Sequence, residues 1–410
     1  MMEIELLLDE RPRLFKKSVF EDGTIVYTYL PHDRHFGWSI IEKNNKRQVV
    51  PAIGKLKYPF EAGFGDDKVY IYPQLTKEAE KIPGGKLLIK YDGYWTMAWE
   101  FDGRVVFRTR QKPFIGQKAA TAKIIEELNL HERVKKYVKD GYWPMFEIWG
   151  PGLKKFGILN GGTRTAELWK ELKIDQKAPL TDKEKKLQII PTVLGAFDIK
   201  EKRWLDYTDL LNTFEDLYIA ETLKTIGLDD YIPMHPRNVL KTIDYLEKWN
   251  LEHGMKRANY YIDDNRIVIE VPKFDNPEAM LEGAVLYAHD KHLYRGFKLK
   301  PYTVYVIDTY TKKKPPTWRI RQEVVKAISD EGELYYAKNP YKLTDKVLQY
   351  LAEDYEITKD IQKLVEKKTL RILAEIIMKN HPEYLEKHPR DLAKEGWHKS
   401  FIGVFVTIRS

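Results

Sequence analysis

The stretch of residues 86–110 constrains the fold of this 410-residue chain more than any other part of the sequence. Its letters, KLLIKYDGYWTMAWEFDGRVVFRTR, contain three apolar runs, and an Asp-Gly pair separates each run from the next. Asp-Gly is frequent in tight turns between antiparallel strands, because both positions of such a turn need a positive φ. We therefore predict consecutive β-hairpins here, with the second turn at residues 101–104.

Strand-like runs recur on both sides of this stretch and are interrupted by amphipathic segments. We predict a helix over residues 115–140, another from Thr163, and two within residues 207–253 that end at Gly227 and Gly254. We predict further strands at residues 23–30, 37–43, 68–73, 143–149, 188–199, 260–272, 281–288 and 297–308. This pattern indicates the α+β class, with antiparallel sheets flanked by helices.

The sequence Lys-Lys-Lys-Pro-Pro at residues 312–316 interrupts the strand pattern and is the predicted domain boundary. Residues 318–396 have helical periodicity, and the final apolar segment, residues 401–408, is predicted to be a strand. We therefore expect two domains, a β-rich domain of residues 1–311 and a mainly α-helical domain of residues 312–410.

The composition excludes several classes of protein. The chain has no cysteine, which excludes disulfide scaffolds, cysteine zinc sites and cysteine nucleophiles. No apolar run approaches the ~18 residues of a membrane span, and the first residues lack the pattern of a signal peptide. We expect a soluble cytoplasmic protein without a membrane partner. Abundant Lys and Glu and scarce Ser resemble the composition of thermophilic proteins.

Two glycine-containing loops and one histidine pair do not match established binding motifs. Gly161-Gly162-Thr163 has no lysine after it, and Pro83-Gly84-Gly85-Lys86 lacks the length and the hydroxyl residue of a phosphate-binding loop. His289 and His292 flank an expected hairpin turn, and no third ligand is placed near them. We interpret all three as ordinary turns.

Charged residues recur within or at the ends of apolar strands, where a charge is costly unless it has a partner. Five such groups follow one another: Lys90-Tyr91-Asp92-Gly93, Arg108-Thr109-Arg110, the Glu147 segment FEIWG, the Glu282 segment LEGAV, and Phe297-Lys298-Leu299-Lys300. The Lys-x-Asp-Gly pattern alone is weakly specific. The ordered series is much more specific and predicts a site built from charged residues.

In this series the chain resembles the covalent nucleotidyltransferase superfamily of ATP-dependent DNA ligases, RNA ligases and mRNA capping enzymes. The five groups match its motifs I, Ia, III, IV and V in order. The sequences around motif I, around motif V and at residues 195–210 are most similar to the RNA ligase 1 family, which is typified by the phage enzyme that repairs tRNA. The resemblance covers about residues 45–308 and implies a nucleotidyltransferase (ATP-grasp-like ligase) domain.

The resemblance implies ATP and Mg²⁺ or Mn²⁺ as cofactors, and a role for each matched residue. Lys90 would take AMP from ATP, and Lys298 and Lys300 would hold the α-phosphate and lower the pKa of Lys90. Asp92 and Gly93 would shape the turn that presents Lys90, and Arg108 or Arg110 would contact a phosphate or ribose. Glu147 and Glu282 would hold the metal, with a ribose hydroxyl as the alternative partner of Glu147. Gly283 belongs to motif IV, and Arg47 and Lys57 would bind the outer phosphates.

The implied reaction joins 5′-phosphate and 3′-hydroxyl ends of single-stranded RNA, with single-stranded DNA as an alternative substrate. One departure from the family is Val304, which stands where the family has a tyrosine. Three other functions remain open: a DNA ligase, a capping enzyme, and a non-catalytic nucleic-acid-binding protein. The first two normally carry a five-stranded OB-fold after motif V, whereas helices are expected here.

The net charge of +8 is carried mostly by the last hundred residues. Such a basic segment is suited to contact a phosphate backbone. We therefore expect the C-terminal domain to bind RNA.

Overall fold

The computed structural model describes residues 2–31, 35–54, 56–64, 68–110, 112–117, 119–158, 163–272, 279–290, 293–310, 315, 317–352, 357 and 359–409. Gly161, Gly162, His292 and Lys312 to Lys314, which were considered above, lie outside these residues. The chain divides into two compact units, Met1–Tyr305 and Val306–Ser410. No helix within the described part of the chain is long and apolar enough to span a membrane.

The first unit contains all the strands of the described residues. They are β1 Phe15–Val19, β2 Ile25–Tyr29, β3 Ser39–Lys43, β4 Lys46–Val50, β5 Phe60–Phe64, β6 Lys68–Leu75, β7 Gly84–Ile89, β8 Gly93–Phe101, β9 Arg104–Arg108, β10 Tyr142–Trp149, β11 Ile190–Asp198, β12 Arg203–Trp204, β13 Tyr231–Pro233, β14 Tyr260–Asp263, β15 Arg266–Glu270, β16 Ala284–Asp290 and β17 Leu293–Leu299.

These strands form four sheets whose paired strands are antiparallel. Sheet A has the order β1-β2-β3-β4, sheet B β12-β11-β10-β8-β9, sheet C β13-β7-β16-β17, and sheet D β14-β15-β6-β5. The hairpin of β8 and β9 closes at Phe101 and Arg104, and Asp102 and Gly103 both have a positive φ there. The hairpin predicted at residues 101–104 is confirmed. The hairpin predicted at Asp92-Gly93 is wrong, because β7 and β8, the strands on either side of it, belong to different sheets.

The helices of the first unit flank the sheets. They are α1 Met2–Glu10, α2 Ala120–Glu127, α3 Leu130–Asp140, α4 Thr165–Glu171, α5 Asp182–Leu187, α6 Tyr207–Thr213 and α7 Pro236–Glu252, and α8 Tyr302–Tyr310 runs across the unit boundary. Helices α2 and α3 pack with sheet B in an extensive apolar core.

The second unit is helical wherever it is described. Its helices are α9 Thr317–Ile328, α10 Glu333–Lys338, α11 Pro340–Leu351, α12 Lys359–Asn380, α13 Pro389–Lys394 and α14 Lys399–Arg409. They enclose an apolar core of their own, which includes Ile320, Val347 and Leu373. The predicted α+β class and the helical C-terminal part are therefore confirmed.

Three further local predictions are wrong. Residues 115–140 form two helices, because Asn129 adopts a left-handed conformation at φ 51° and interrupts the helix. Residues 401–408 belong to helix α14, which buries Phe401 and Phe405 four positions apart in the helical core. Residues 302–308 belong to helix α8. In both apolar segments tertiary packing outweighs the β propensity of aromatic and β-branched residues.

The region of residues 207–253 has both predicted helices, but the first is short. Helix α6 ends at Thr213, and Gly227 ends a separate 3₁₀ turn, Leu223–Ile226. Helix α7 ends at Glu252, and Gly254 lies two residues beyond it with φ 87°.

Candidate active site

Lys90 lies directly after strand β7 and is tied to the segment that precedes β16. Its backbone N–H donates to the carbonyl oxygen of Gly283 at 3.0 Å. Gly93 opens the next strand, where a Cβ atom would lie 2.2 Å from the carbonyl oxygen of Ile148. Only glycine therefore allows strand β8 to approach β10 so closely. Asp92, between them, accepts a hydrogen bond from the Thr163 hydroxyl at 2.9 Å.

The carboxylate of Glu282 bridges two lysines. Oε2 accepts from Lys90 Nζ at 2.5 Å, and Oε1 accepts from Lys300 Nζ at 2.7 Å. The side chains are largely buried, with exposed fractions of 19% for Lys90, 12% for Glu282 and 4% for Lys300. The negative charge of Glu282 offsets part of the positive charge of the two lysines, which lowers the cost of burying them.

The pKa values of this cluster follow from the competition between burial and charge. Burial acts to raise the pKa of Glu282, but the positive charges of Lys90 and Lys300 outweigh it and lower the pKa to about 2. Burial acts to lower the pKa of Lys90, but the negative charges of Glu282 and Glu147 outweigh it and raise the pKa. The expectation that Lys298 and Lys300 lower the pKa of Lys90 is therefore wrong for this arrangement, in which Lys300 shares its counter-ion with Lys90.

Glu147 is the second carboxylate of the cluster, and its pKa moves in the opposite direction. It lies on β10, opposite Trp95 of β8. Burial raises its pKa; the charge of Lys90 opposes this shift and the charge of Glu282 adds to it, giving a pKa of about 7. Glu147 can therefore gain or lose a proton near neutral pH.

The two arginines at the end of β9 have different surroundings. Burial lowers the pKa of Arg110, the charge of Glu147 opposes that shift, and its buried Nε has no hydrogen-bond partner among the described residues. Arg110 is thus close enough to Glu147 for the two charges to interact.

Arg108 is fully buried and binds the backbone of sheet A and its neighbourhood. Nη1 donates to the carbonyl oxygens of Val50 at 2.9 Å and Pro51 at 3.1 Å, and Nη2 donates to that of Gly37. Burial lowers its pKa to about 9. These contacts favour a structural role for Arg108, which joins β9 to sheet A.

Lys298 lies on β17 with its backbone N–H donating to the carbonyl oxygen of Lys57 at 2.9 Å. Its Nζ lies 5.4 Å from the centre of the Tyr58 ring, which packs edge to face on Tyr305. Burial, together with the charge of Glu282, raises the pKa of Tyr58. Tyr58, the neighbour of Lys57 in the sequence, thus lies close to Lys298 and to the charge of Glu282.

The two residues expected at the outer phosphates have surface ion pairs. Lys57 Nζ binds Glu78 at 2.7 Å, and both side chains are about half exposed. Arg47, on β4, binds Glu42 at 2.6 Å and Asp9 at 3.2 Å. Among the described contacts of these two side chains there is none with Lys90 or Glu282.

Glu147 and Glu282 are the expected metal ligands. Within the described ranges, no group of three or more His, Cys, Asp or Glu side chains is arranged to hold a metal ion. Mg²⁺ is commonly held by one or two carboxylates together with substrate phosphates and water. Two neighbouring carboxylates therefore fit a divalent ion that arrives with a nucleoside triphosphate.

A cavity of about 370 Å³ lies beside β7 and was not anticipated from the sequence. Its walls include Tyr207, Tyr218 and Glu221. The backbone of Glu221 accepts from the N–H of Ile89 at 2.8 Å and donates to the hydroxyl of Tyr91 at 3.2 Å. Oε1 of Glu221 pairs with Lys177, and Oε2 is buried with no hydrogen-bond partner found among the described residues.

Comparisons with known proteins find only distant likenesses, all among solved structures. No protein-family model matches the sequence, and no curated protein matches it. An archaeal ATP-dependent RNA ligase is 11% identical with a TM-score of 0.39, and a putative ATP-dependent DNA ligase from Aquifex aeolicus is 11% identical with a TM-score of 0.43. For each of the two, the match covers 99% of this chain and 86% of the other.

An RNA ligase variant from Naegleria gruberi, solved with ATP and Mn, is 12% identical with a TM-score of 0.35. That match covers 74% of this chain and 84% of the other. These identities and TM-scores are too low to support a function. The proposed function therefore depends on the geometry of the site itself.

Proposed function

We propose that this protein is an ATP-dependent RNA ligase that joins a 5′-phosphate to a 3′-hydroxyl through an AMP adduct of Lys90. One observation supports this most strongly: the largely buried Lys90 is paired with Glu282, which also binds the buried Lys300, and the charge of a second carboxylate, Glu147, acts on Lys90. Such a group of charges is suited to a nucleophilic amine that works on a phosphate.

In the first step the Lys90 amine attacks the α-phosphorus of ATP. A nitrogen–phosphorus bond forms, the bond to pyrophosphate breaks, and Lys90 releases one proton to solvent. In the structure Lys90 is an ammonium paired with Glu282. Because burial alone lowers its pKa, movement of the Glu282 carboxylate away from Lys90 favours the free amine.

Lys298, Lys300 and Arg110 supply positive charge for the α-phosphate. In the second step the AMP moves from Lys90 to the 5′-phosphate of the nucleic acid, and in the third the 3′-hydroxyl attacks that phosphate and releases AMP. A divalent ion held by Glu147 and Glu282 would neutralise charge on the phosphates.

RNA is the proposed substrate because the described part of the second unit is helical and has no OB-fold strands. The exposed lysines of α12, including Lys363 and Lys367, are the proposed contacts with its phosphates.

The test is a direct comparison of two substrates with ATP and magnesium. We expect a single-stranded oligoribonucleotide with a 5′-phosphate to be joined or circularised, and an oligoribonucleotide without the 5′-phosphate to stay unchanged. The variant Lys90→Ala is the matched control for both. Faster sealing of a nick in duplex DNA would instead identify a DNA ligase.

A further inference from the structure

Helix α7 carries two polar side chains that are buried on one face. Glu247 is 2% exposed and Asn250 is 0% exposed. Residues three positions apart lie on the same side of a helix. Buried polar groups need hydrogen-bond partners, and the partners of these two lie outside the helix.

The amide of Asn250 holds the two residues that precede Glu282. Oδ1 accepts from the backbone N–H groups of Met280 and Leu281, both at 2.9 Å. Nδ2 donates to the carbonyl oxygen of Leu281 at 3.0 Å. One side chain thus binds three backbone groups next to Glu282.

The carboxylate of Glu247 holds the residue three positions after Lys300. Oε2 accepts from the backbone N–H of Thr303 at 3.2 Å, and Oε1 accepts from its hydroxyl at 2.5 Å. Thr303 is 0% exposed and lies in the first turn of α8. A carboxylate at the N-terminus of a helix also satisfies free N–H groups there.

These contacts lie where the strands no longer fix the backbone. The ladder between β16 and β17 ends at the pair Ala284 and Leu299. Glu282 and Lys300 lie just beyond that pair, so ladder hydrogen bonds do not determine their positions. A charge pair at 2.7 Å in a largely buried place depends on accurate placement of both partners.

We infer that this face of α7 is a clamp that positions Glu282 and Lys300 for reaction at Lys90. The inference rests on the proposed function, because the activity that the clamp serves is adenylylation of Lys90. Glu247 and Asn250 are positioning residues, since they act through backbone groups and touch no reacting atom.

The test compares Asn250→Ala with Thr242→Ala. Thr242 is a buried residue of the same helix, and its hydroxyl donates to the carbonyl oxygen of Asn238 in that helix. We expect Asn250→Ala to lower kcat for self-adenylylation by about 10-fold or more and to change KM for ATP by less than about 2-fold, because small displacements of reacting groups are costly. Asn250→Asp keeps both acceptor contacts but replaces the donor Nδ2 with an oxygen that faces the Leu281 carbonyl, so it should restore only part of the rate. Thr242→Ala should keep the rate of the wild type.

Hydrogen exchange provides a readout that does not depend on activity. In Asn250→Ala the peptide that contains residues 280–283 should exchange faster than in the wild type, and in Thr242→Ala it should not. Glu247→Gln is the second variant, in which we expect faster exchange at residues 300–304. It tests the clamp if Asn250→Ala fails to fold.

The outcomes separate the two proposals. Absence of adenylylation in the wild type would overturn the proposed function, while faster exchange in Asn250→Ala would still support the clamp. Unchanged exchange at residues 280–283, or a wild-type kcat in folded Asn250→Ala, would overturn the clamp.

Discussion

At the residue scale, two carboxylates of one cluster have pKa values that burial and charge move in opposite directions. Glu282 lies between two lysines and has a pKa of about 2. For Glu147 burial has the largest effect on the pKa, which is about 7. Such separation of neighbouring groups is typical of sites where each has a different task. Glu282 is therefore a permanent charge, and Glu147 a group that titrates near neutral pH.

The pKa of Glu147 predicts a pH dependence of stability. The folded-state pKa of about 7 exceeds the ordinary value of 4.5, so the folded protein binds this proton more tightly than the unfolded chain does. The resulting stability is present below about pH 4.5 and is lost as the pH rises through 7. We compare the free energy of unfolding of Glu147→Gln with that of the wild type, by urea unfolding between pH 4.5 and 8. The difference should move in favour of the variant as the pH rises. Parallel curves for the two proteins would contradict this.

Glu282 has the reverse linkage and also determines the charge of Lys90. Its lowered pKa gives stability that is present above pH 4.5 and is lost as the pH falls toward 2. In Glu282→Gln the pKa of Lys90 should fall from its raised value. The negative charge that opposed the effect of burial on Lys90 is then removed. Competitive acetylation of Lys90, followed by mass spectrometry over a pH series, measures this. The same apparent pKa in variant and wild type would contradict the assigned pairing.

At the element scale, the site is assembled from residues at the ends of strands. Lys90 follows β7, Glu282 precedes β16, and Lys300 follows β17. Gly283 makes the approach of the last two possible: its φ is 141°, and a Cβ atom would lie 2.2 Å from the carbonyl oxygen of Leu299. The lysine pair around Glu282 depends on this close approach.

The substitution Gly283→Ala tests that dependence against a matched glycine. Gly103, in the β8–β9 turn, also has a positive φ, but a Cβ atom there would meet nothing within 4 Å. Gly103→Ala should cost about 1 kcal/mol of unfolding free energy, from backbone strain alone. Gly283→Ala should cost more than about 3 kcal/mol, because the backbone must also shift. Equal losses in chemical denaturation would show that the strand ends tolerate displacement.

The sequence predicted the strand elements better than the contacts between them. The Asp-Gly turns and strand-like runs located β7, β8, β9 and β11, because these patterns are local. The helices α8 and α14 were missed, since uninterrupted apolar runs carry no clear period and only packing determines their conformation. The clamp of Asn250 and the buried contacts of Arg108 join residues that lie far apart in the sequence. No local pattern encodes such contacts.

At the scale of the whole molecule, the chain has two units with separate apolar cores. The proposed chemistry belongs to the first unit, which holds Lys90, Glu147, Glu282 and Lys300. The second unit therefore has another task in our proposal, the binding of RNA phosphates.

Reversing two charges on α12 tests that task. Lys363 and Lys367 are exposed and four residues apart. If both bind phosphates, the double variant with Glu at each position should bind single-stranded RNA more weakly. The slope of log K against log salt should flatten by about 1.4, at ~0.7 for each lost contact. The same reversal at Lys135 and Lys139 of α3, also exposed, is the control. Wild-type affinity and slope in the α12 variant would remove this surface from the proposal.

The adduct on Lys90 tests the central claim most directly. The protein is incubated with ATP and magnesium, digested, and analysed by mass spectrometry, with Lys90→Ala treated in parallel. We predict about one AMP per wild-type molecule, attached to the peptide that contains Lys90, and none on the variant. AMP retained by Lys90→Ala, or found on a different lysine of the wild type, would contradict the account.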